Sequence, residues 1–566
     1  MTYFPFVPYI TREVKIGNIT LGGDNPVRLQ SMTNTNTMDT EATVAQSIRM
    51  IEAGSELIRI TAPGVKEAKH LGEIKKELLK KGYNVPIIAD IHFNPKAAEE
   101  AAKVIEKIRI NPGNYIDRNR KDKIEFTEEE YNAEVKRIKE RITPLITICK
   151  KHNTAIRIGS NHGSLSQRIM SRYGDTAIGM AESAMEFLRI CNELDFHNIV
   201  VSMKSSNTRV MIHATRLIVV MMQKENLNYP IHLGVTEAGA GDEGRIKSAT
   251  GISTLLNEGI GDTIRVSLTE APEIELPAAK SIIAATENTN IIAPATEHIF
   301  DYEKKYSNTI ETIGGDNPPI VIVTSEKKIA KQELIPDGIF HPAKENSFLL
   351  NGDKNIAFTE IFSEKEIPLK IKKDEPIVLS GDLETQNSIL KKLQEKKNHN
   401  PIILRKKYSI SNHEEFIITA ASEIGGFLVN GLIDGIWIEN NPADINAITN
   451  LSFSILQASR SRISRTEYIA CPSCGRTQYN IVDTLKKIEA KTSHLKGLKI
   501  GVMGCIVNGP GEMADADYGY VGAGKGLITL YKKKEVMKQN IPEADAIDEL
   551  IALLKANNDW EEKSFL

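Results

Sequence analysis

Residues 107–113 read Lys-Ile-Arg-Ile-Asn-Pro-Gly, and this stretch decides the fold of the first half of the chain. Isoleucines alternate with charged or polar residues, which is the period-two pattern of a strand with one apolar face. The Pro-Gly pair then ends the run. Eight such β-branched runs occur, at residues 27–33, 56–61, 85–91, 107–113, 155–161, 198–206, 230–237 and 262–268.

Amphipathic helical stretches separate these runs, at residues 41–53, 67–81, 127–151, 175–194, 208–225 and 244–257. Eight βα units in about 250 residues are typical of a TIM barrel, an α/β fold. A doubly wound open sheet is the alternative. The apolar face of each strand must meet the surrounding helices, so the polar face points into the barrel.

That polar face is strongly basic. Five of the runs place a cation on it: Arg59, Arg109, Arg157, Lys204 and Arg265, accompanied by Asp90, His92 and Glu237. Because a buried unpaired charge is costly, we expect an anionic ligand. Arginine forks suit phosphate, which indicates a small substrate with more than one phosphate charge. In the alternative interpretation, one or two of these arginines pair with carboxylates beneath the barrel.

The composition narrows the class of protein. The 566 residues carry 71 basic and 74 acidic side chains and a net charge of −3, which argues against a nucleic-acid binder. No stretch of about 18 uncharged apolar residues occurs, so no membrane span is expected. The five cysteines are too few and odd in number for a disulfide framework. A cytoplasmic enzyme is therefore the expectation.

Three of the cysteines lie near the C-terminus. Residues 471–476 read Cys-Pro-Ser-Cys-Gly-Arg, and residues 503–512 read Met-Gly-Cys-Ile-Val-Asn-Gly-Pro-Gly-Glu. Structural zinc normally takes four Cys or His ligands, and no fourth cysteine is near. An iron–sulfur cluster with one non-cysteine ligand, for which Glu512 is the candidate, fits better. A zinc ribbon is the alternative. Cys149 and Cys191 are expected to be small buried apolar residues.

These motifs resemble those of one enzyme family, the 4-hydroxy-3-methylbut-2-enyl diphosphate synthases of the non-mevalonate isoprenoid pathway. The resemblance covers about residues 5–285 and 451–566. It is carried by both cysteine motifs and by residues 88–93, 109–114, 157–165, 232–239 and 261–268.

The resemblance implies that 2-C-methyl-D-erythritol 2,4-cyclodiphosphate is opened and reductively dehydroxylated, with two electrons passing through a [4Fe–4S] cluster. Ferredoxin or flavodoxin would supply the electrons. The diphosphate ligands would be Arg59, Arg109, Arg157, Lys204 and Ser267, with Arg265 close by. The carbon skeleton would lie among Asp90, His92, Asn161 and Glu237, with Glu237 as proton donor. The cluster ligands would be Cys471, Cys474, Cys505 and Glu512, and Glu512 would give way to a substrate oxygen.

Residues 287–450 are surplus to the common two-domain form of this family. We therefore expect a TIM barrel at 1–286, an insert at 287–450 and an α+β iron–sulfur domain at 451–566. The insert echoes the barrel, because Gly-Gly-Asp-Asn-Pro at 314–318 repeats 22–26 and residues 428–439 follow the pattern of 256–267. Trp437 and Glu439 replace Arg265 and Ser267 in that echo. This predicts a degenerate, noncatalytic, barrel-like spacer; an unrelated α/β insert is the alternative.

Two further questions stay open at the level of sequence. A barrel lyase or isomerase of sugar phosphates with a zinc-ribbon partner-binding domain is the alternative function, and a catalytically dead scaffold is a third. In the two-domain relatives one chain's cluster lies over the other chain's barrel. A homodimer is expected for this chain, but the sequence leaves open whether its site forms within one chain.

Overall fold

A computed structural model describes most of the chain as two compact units. The described residues are 9–91, 93–116, 125–287, 302, 304–326, 333–344, 346–367, 371–441, 443–506, 509–513 and 515–562, apart from the side chains of Pro510 and Glu512. Within that part, the first unit takes residues up to 244 with 260–280 and those from 465 onward, and the second takes 245–259 and 281–464. The domain boundaries after residues 286 and 450 stay predictions.

The first unit contains a parallel eight-stranded barrel. Its chain begins with β1 (Val14–Ile16), β2 (Ile19–Leu21), β3 (Arg28–Met32), β4 (Leu57–Thr61), β5 (Ile87–Asp90), β6 (Lys107–Ile110), β7 (Ala155–Asn161), β8 (Ile199–Lys204), β9 (His232–Leu233) and β10 (Thr263–Ile264). The strand order is β8-β7-β6-β5-β4-β3-β10-β9. A parallel bridge between Val201 and Ile231 joins the two ends. The predicted TIM barrel is confirmed, and the open sheet is wrong.

Helices follow the barrel strands in alternation. They are Thr40–Ala53, Val65–Lys80, Pro95–Ala101, Pro112–Tyr115, Glu128–His152, Gln167–Tyr173, Ala177–Glu193, Thr208–Lys224, Gly241–Leu256, the 3-10 turn Pro272–Ile274, and Glu275–Thr286. The sequence does not predict the helices of four and seven residues, because one or two turns are too short to show a 3.6-residue period. Among the helices of the described ranges, none is both long and apolar enough to cross a membrane.

An N-terminal hairpin closes the floor of the barrel. Strands β1 and β2 pair antiparallel, and their side chains pack against the lowest inward residues of four barrel strands. This apolar cluster consists of Val14, Ile16, Leu21, Leu57, Ile88, Ala155 and Val200. Because the floor is apolar and filled, the polar interior opens only toward the carboxyl ends of the strands, where TIM barrels place their active sites.

The second unit contains another eight-stranded sheet. Its strands are β11 (Ile320–Thr324), β12 (Gly338–Phe340), β13 (Ser347–Leu350), β14 (Lys354–Ala357), β15 (Thr359–Ile361), β16 (Ile377–Leu379), β17 (Ile402–Tyr408) and β18 (Gly435–Asn440). Its helices are the 3-10 turn Glu364–Glu366 and the α-helices Leu383–Glu395, His413–Val429 and Ile445–Ala458. The order is β14-β13-β12-β11-β18-β17-β16-β15, and β13 pairs antiparallel with both of its neighbours, β12 and β14. The other pairs are parallel.

One buried aspartate shows that the insert repeats part of the barrel. Before β10, Asp262 accepts hydrogen bonds from Thr11 Oγ1 at 2.6 Å and from the backbone N–H of Ile231 at 2.7 Å. Before β18, the equivalent bonds run to Asp434 from Ser307 Oγ at 2.9 Å and from the N–H of Ile402 at 3.0 Å. Asp262 in the barrel and Asp434 in the insert therefore play equivalent roles. Each joins its own strand to the segment before the glycine turn and to the start of the preceding strand.

The glycine turn is also repeated. Gly22 and Gly314 have φ angles of 82° and 79°, and an added Cβ would lie 2.2 Å and 2.3 Å from a backbone oxygen, respectively. At both places a non-glycine residue would be strained and would collide. The side chain of the asparagine three residues later donates to the glycine carbonyl at 2.8 Å and 2.9 Å, respectively. These shared features support the predicted barrel-like insert over an unrelated one.

At the polar end of the insert sheet, internal ion pairs replace an anion site. The Arg405 guanidinium lies 3.6 Å from the centre of the Trp437 ring. It donates to Glu439 at 2.9 Å and to Glu360 at 3.1 Å. Because two carboxylates and an aromatic ring compensate this cation, it has no need of an external anion. These contacts favour a noncatalytic insert.

The last part of the first unit is a five-stranded mixed sheet. Its strands are β19 (Glu467–Ala470), β20 (Lys499–Met503), β21 (Tyr518–Gly524), β22 (Leu527–Lys532) and β23 (Glu535–Pro542), in that spatial order. Its helices are Ile481–Thr492, Gly509–Glu512 and Ala546–Ala556. Strands β19 and β20 are parallel neighbours. Cys471 follows β19 and Cys505 follows β20, so the cysteine motifs meet at one edge of the sheet.

Replacing Asp434 should destabilise the insert. Asp434 is 3% exposed and accepts two hydrogen bonds whose donors would be left buried without a partner in Asp434→Ala. We expect the free energy of unfolding to fall by about 2–4 kcal/mol, measured by urea denaturation followed by circular dichroism. Asp382→Ala, which removes an exposed helix N-cap, is the control and should cost about 1 kcal/mol. Equal free energies of unfolding for Asp434→Ala and Asp382→Ala would contradict the structural role of Asp434.

Candidate active site

A pocket at the carboxyl ends of the barrel strands collects most of the side chains singled out in the sequence. The barrel contributes Arg59, Asp90, Arg109, Arg157, Asn161, Lys204, Glu237, Arg265 and Ser267. The five-stranded sheet contributes Cys471, Cys474 and Cys505. His92 and the side chain of Glu512 lie outside the described part of the chain. All of these lining residues belong to the first compact unit.

Asp90 organises two of the pocket arginines. Its Oδ1 atom lies 2.5 Å from Arg59 Nη2 and 3.4 Å from Arg109 Nη1, and the Asp90 side chain is fully buried. Arg109 also donates to Asn161 Oδ1 at 2.9 Å and to the carbonyl of Gly159 at 3.1 Å. These contacts hold both guanidinium groups in defined orientations before any ligand arrives.

Gly159 makes room for this arrangement. A Cβ at this position would lie 2.8 Å from Ser202 Oγ and 3.2 Å from Arg109 Nε. Ser202 in turn accepts from Arg157 Nη1 at 3.5 Å. A larger residue at position 159 would therefore displace the side chains that orient two arginines.

Arg265 has a carboxylate partner of its own. Its Nε and Nη2 atoms donate to Glu275 at 3.2 Å and 3.0 Å, which is a bidentate fork. Glu275 is 2% exposed and also accepts from Ser31 Oγ at 2.8 Å. Arg265 therefore has a carboxylate partner, as the alternative interpretation expects for one or two of the arginines. The Arg265 guanidinium lines the pocket, and the Glu275 carboxylate compensates its positive charge.

The remaining positive charge is not balanced within the lining. Among the residues that the structure describes, the lining contains two carboxylates, Asp90 and Glu237, and six cations: Arg59, Arg109, Arg157, Lys204, Arg265 and Arg476. Burial, followed by the neighbouring arginines, holds the pKa values of Arg157 and Lys204 well below their ordinary values. His232 has a lowered pKa for the same reasons, so it is neutral at pH 7. An anionic ligand would relieve this repulsion.

Glu237 is held in a strained conformation beside the cysteines. Its φ angle is 49°, in the left-handed region, and it is 3% exposed. The next residue, Ala238, forms a parallel bridge with Ala470, which directly precedes Cys471. Strain of this kind is found at functional sites, where the surrounding structure maintains it. The bridge thus brings the segments of Glu237 and Cys471 together, and both side chains line the pocket.

The three pocket cysteines are reduced thiols with polar neighbours. The backbone N–H of Gly504 donates to Cys471 Sγ at 3.2 Å, and Arg476 Nε donates to Cys474 Sγ at 3.5 Å. Burial raises the pKa of the Cys471 thiol well above its ordinary value, and nearby Cys474, Glu237 and Cys505 raise it further. A thiolate here needs a strong positive partner such as a metal cluster.

The three thiols could ligate an iron–sulfur cluster. A cluster binds each thiolate through a different iron atom. Cys471, Cys474 and Cys505 line one pocket, and the sulfurs of Cys471 and Cys474 accept hydrogen bonds. In the part of the chain that the structure describes, no group of three or more His, Cys, Asp or Glu side chains is placed to hold a single metal ion.

The structure adds lining residues to which the sequence analysis gave no role: Met32, His232, Thr236 and Arg476. It also buries Lys107 completely in the barrel, with its pKa lowered by burial and by Arg157 and Arg59. Strand alternation could have found Lys107 and His232, because Lys107 shares a face with Arg109. Arg476 stands in the cysteine motif, but nothing in the motif shows which groups it contacts.

Fold and site together define a class of protein: a barrel enzyme that binds a small anion against a set of metal-binding thiols. The family model described as the GcpE TIM-barrel domain matches residues 11–280, and the model described as the GcpE protein C-terminal domain matches residues 467–556.

Curated relatives match the whole chain, insert included. A protein of Parabacteroides distasonis is 46% identical over 611 residues, covering 99% of this chain and 100% of the relative. One of Bacteroides fragilis is 45% identical and covers 100% and 98%, respectively, and one of Protochlamydia amoebophila is 41% identical and covers 98% and 96%. Each is named 4-hydroxy-3-methylbut-2-en-1-yl diphosphate synthase (flavodoxin). The chain belongs to this family of enzymes.

Binding of inorganic pyrophosphate should be linked to proton uptake. The pKa of Lys204 is lowered in the free pocket, and a bound anion favours the ammonium form and raises that pKa. The affinity for pyrophosphate should therefore fall as the pH rises from the pKa of Lys204 in the free enzyme to its higher pKa in the complex. Isothermal titration in buffers of different ionisation enthalpy measures the proton count. Lys204→Met should lose part of the uptake and bind about 10- to 100-fold more weakly.

Lys80→Met, on an exposed helix position, is the matched control and should bind like the wild type. Equal proton uptake by the Lys204→Met variant and the wild type would show that Lys204 is not the group that takes up the proton.

Proposed function

We propose that this pocket is where the reaction of the family takes place, with the residue roles given below. The enzyme converts 2-C-methyl-D-erythritol 2,4-cyclodiphosphate to (E)-4-hydroxy-3-methylbut-2-enyl diphosphate. One ring C–O bond opens and one hydroxyl leaves as water, which takes two electrons and two protons. The observation that carries the proposal is one pocket that combines an excess of buried cations with three thiols.

The basic side chains hold the diphosphate. Arg59 and Arg109 are already oriented by Asp90, so little conformational freedom is lost when phosphate oxygens bind. Arg157 and Lys204 supply the charge that the pocket does not balance internally. Ser267 would add a hydroxyl donor. Arg265 contributes as a positioned neighbour, because Glu275 already occupies its fork.

Glu237 is the proposed proton donor to the departing hydroxyl. Its carboxyl group lies in the pocket, is nearly inaccessible to solvent, and stands next to Cys471 along the Ala238–Ala470 bridge. A proton delivered here reaches the leaving oxygen without bulk water. Asn161 would position the carbon skeleton while it holds Arg109. Asp90 would act through the arginines it orients, and His92 is proposed only from its place in the motif.

The enzyme uses a [4Fe–4S] cluster, which supplies the electrons. We propose Cys471, Cys474 and Cys505 as its ligands, and Glu512 as a fourth from its position in the motif. The hydrogen bonds from Gly504 and Arg476 would stabilise the thiolates. The names of the relatives support flavodoxin as electron donor, with ferredoxin as the second candidate. Reduced thiols fit a reducing compartment such as the cytoplasm.

The barrel and the thiol loops of one chain line one pocket, which supports a site formed within one chain. A homodimer stays a proposal, and its role would not be to share this site. For the insert we keep the proposal that it sets the spacing of the parts around it.

Anaerobic enzyme should be brown with about four irons per chain and should turn over the cyclodiphosphate with reduced flavodoxin. In Glu237→Gln the proton donor is lost, and we expect turnover to fall about 10²- to 10⁴-fold with iron content unchanged. Glu52→Gln, at an exposed position of a barrel helix, is the control. Colourless protein with one zinc per chain would disprove the cluster assignment. Full activity of the Glu237→Gln variant would disprove the role of Glu237 as proton donor.

Mixing two inactive chains tests whether the site lies within one chain. A Glu237→Ala chain keeps all three thiols, and a Cys505→Ser chain keeps Glu237. Because one chain supplies both sides of the pocket, the mixture should stay as inactive as its components in a steady-state turnover assay. Recovery of activity on mixing would show that two chains share the site.

A further inference from the structure

Arg476, the last residue of the first cysteine motif, contacts both halves of the pocket. Its Nε atom donates to Cys474 Sγ at 3.5 Å, and its Nη2 atom lies 3.7 Å from Asp90 Oδ2. The Arg476 side chain is 15% exposed and the Asp90 side chain is fully buried. One guanidinium therefore stands between a thiol of the five-stranded sheet and a carboxylate of the barrel.

The two oxygens of Asp90 have different partners. Arg59 and Arg109 approach Oδ1, whereas Arg476 approaches Oδ2. The arginines proposed to bind the diphosphate and the arginine on the thiol thus meet at one carboxylate. A change of charge at the diphosphate site can reach Cys474 through two ion pairs in a buried, weakly screened environment.

Hydrogen bonds and positive charge at a thiolate ligand stabilise the reduced form of an iron–sulfur cluster, because reduction adds negative charge. A carboxylate close to that positive charge opposes the effect. Arginine suits this position, because its planar fork directs separate N–H groups to the sulfur and to the carboxylate. A lysine ammonium is a single point charge on a flexible stem.

We propose that Arg476 is a positioning residue that raises the reduction potential of the cluster and that Asp90 sets how strongly it does so. The proposal rests on the proposed function, since it takes Cys474 as a cluster ligand. Arg476 is not assigned contact with the substrate. It acts through the sulfur and through the carboxylate that orients the diphosphate arginines.

A purely structural role, tying the sheet to the barrel, is the competing explanation. The chain offers a matched control for it. Lys534 Nζ lies 3.8 Å from Asp175 Oδ2, which is a second ion pair between the five-stranded sheet and the barrel. Neither residue of this pair lines the pocket. If Arg476 served only to join the two parts, Lys534→Gln and Arg476→Gln should affect the cluster alike.

The test is a redox titration of the anaerobic holoenzyme without substrate, followed by electron paramagnetic resonance. Arg476→Gln should lower the midpoint potential by the equivalent of about a tenfold change in the one-electron equilibrium, about 59 mV. Asp90→Asn should raise it, and Lys534→Gln should leave it unchanged. Arg476→Lys should lie between Arg476→Gln and the wild type.

An unchanged potential in Arg476→Gln, or an equal shift in Lys534→Gln, would overturn the proposal. If the Arg476→Gln variant does not retain iron, the Asp90→Asn variant provides the test. A midpoint potential that is unchanged or lowered in Asp90→Asn would then contradict the proposal. Wild-type iron content and turnover are measured on the same preparation. Active wild-type enzyme with an unchanged potential in Arg476→Gln would refute this inference alone, whereas wild type without a cluster would refute the proposed function.

Discussion

The barrel interior contains more buried positive charge than its own carboxylates balance, and the organisation of the site depends on this imbalance. Asp90 and Glu275 neutralise and orient part of the charge, through Arg59, Arg109 and Arg265. An anionic ligand would compensate the remaining positive charge at Arg157 and Lys204, whose pKa values are lowered. A site of this kind binds a diphosphate strongly because the cost of bringing the cations together was met during folding.

The two ends of the barrel show how this charge is confined. The N-terminal hairpin fills the floor with apolar side chains, and the five-stranded sheet supplies the thiols at the opposite end. The bridge between Ala238 and Ala470 brings Glu237 to Cys471. Glu237, the cations and the thiols therefore line one pocket. A reduction that also needs protons gains from such an arrangement.

Comparison of the insert with the barrel distinguishes the residues that maintain the fold from those that form the site. It keeps the glycine turn and the buried aspartate of the barrel, because these determine how the segments join. It replaces the cationic face with Trp437 and Glu439, and Arg405 is paired with carboxylates of the insert itself. The same backbone arrangement thus persists without an anion site. Side chains at a few inward positions decide between catalytic and structural use.

The barrel, its inward cations and the convergence of the cysteine motifs are readable from the amino-acid pattern. They follow from strand alternation and from the shared edge of parallel strands, which are local or topological rules. Three other features are visible only in the folded chain: Glu275 pairs with Arg265, Arg476 reaches Asp90, and Glu237 adopts a left-handed backbone. These contacts join segments whose approach depends on packing, and no periodicity in either segment records them. The hairpin floor and the shortest helices escaped prediction because three to seven residues hold too little pattern.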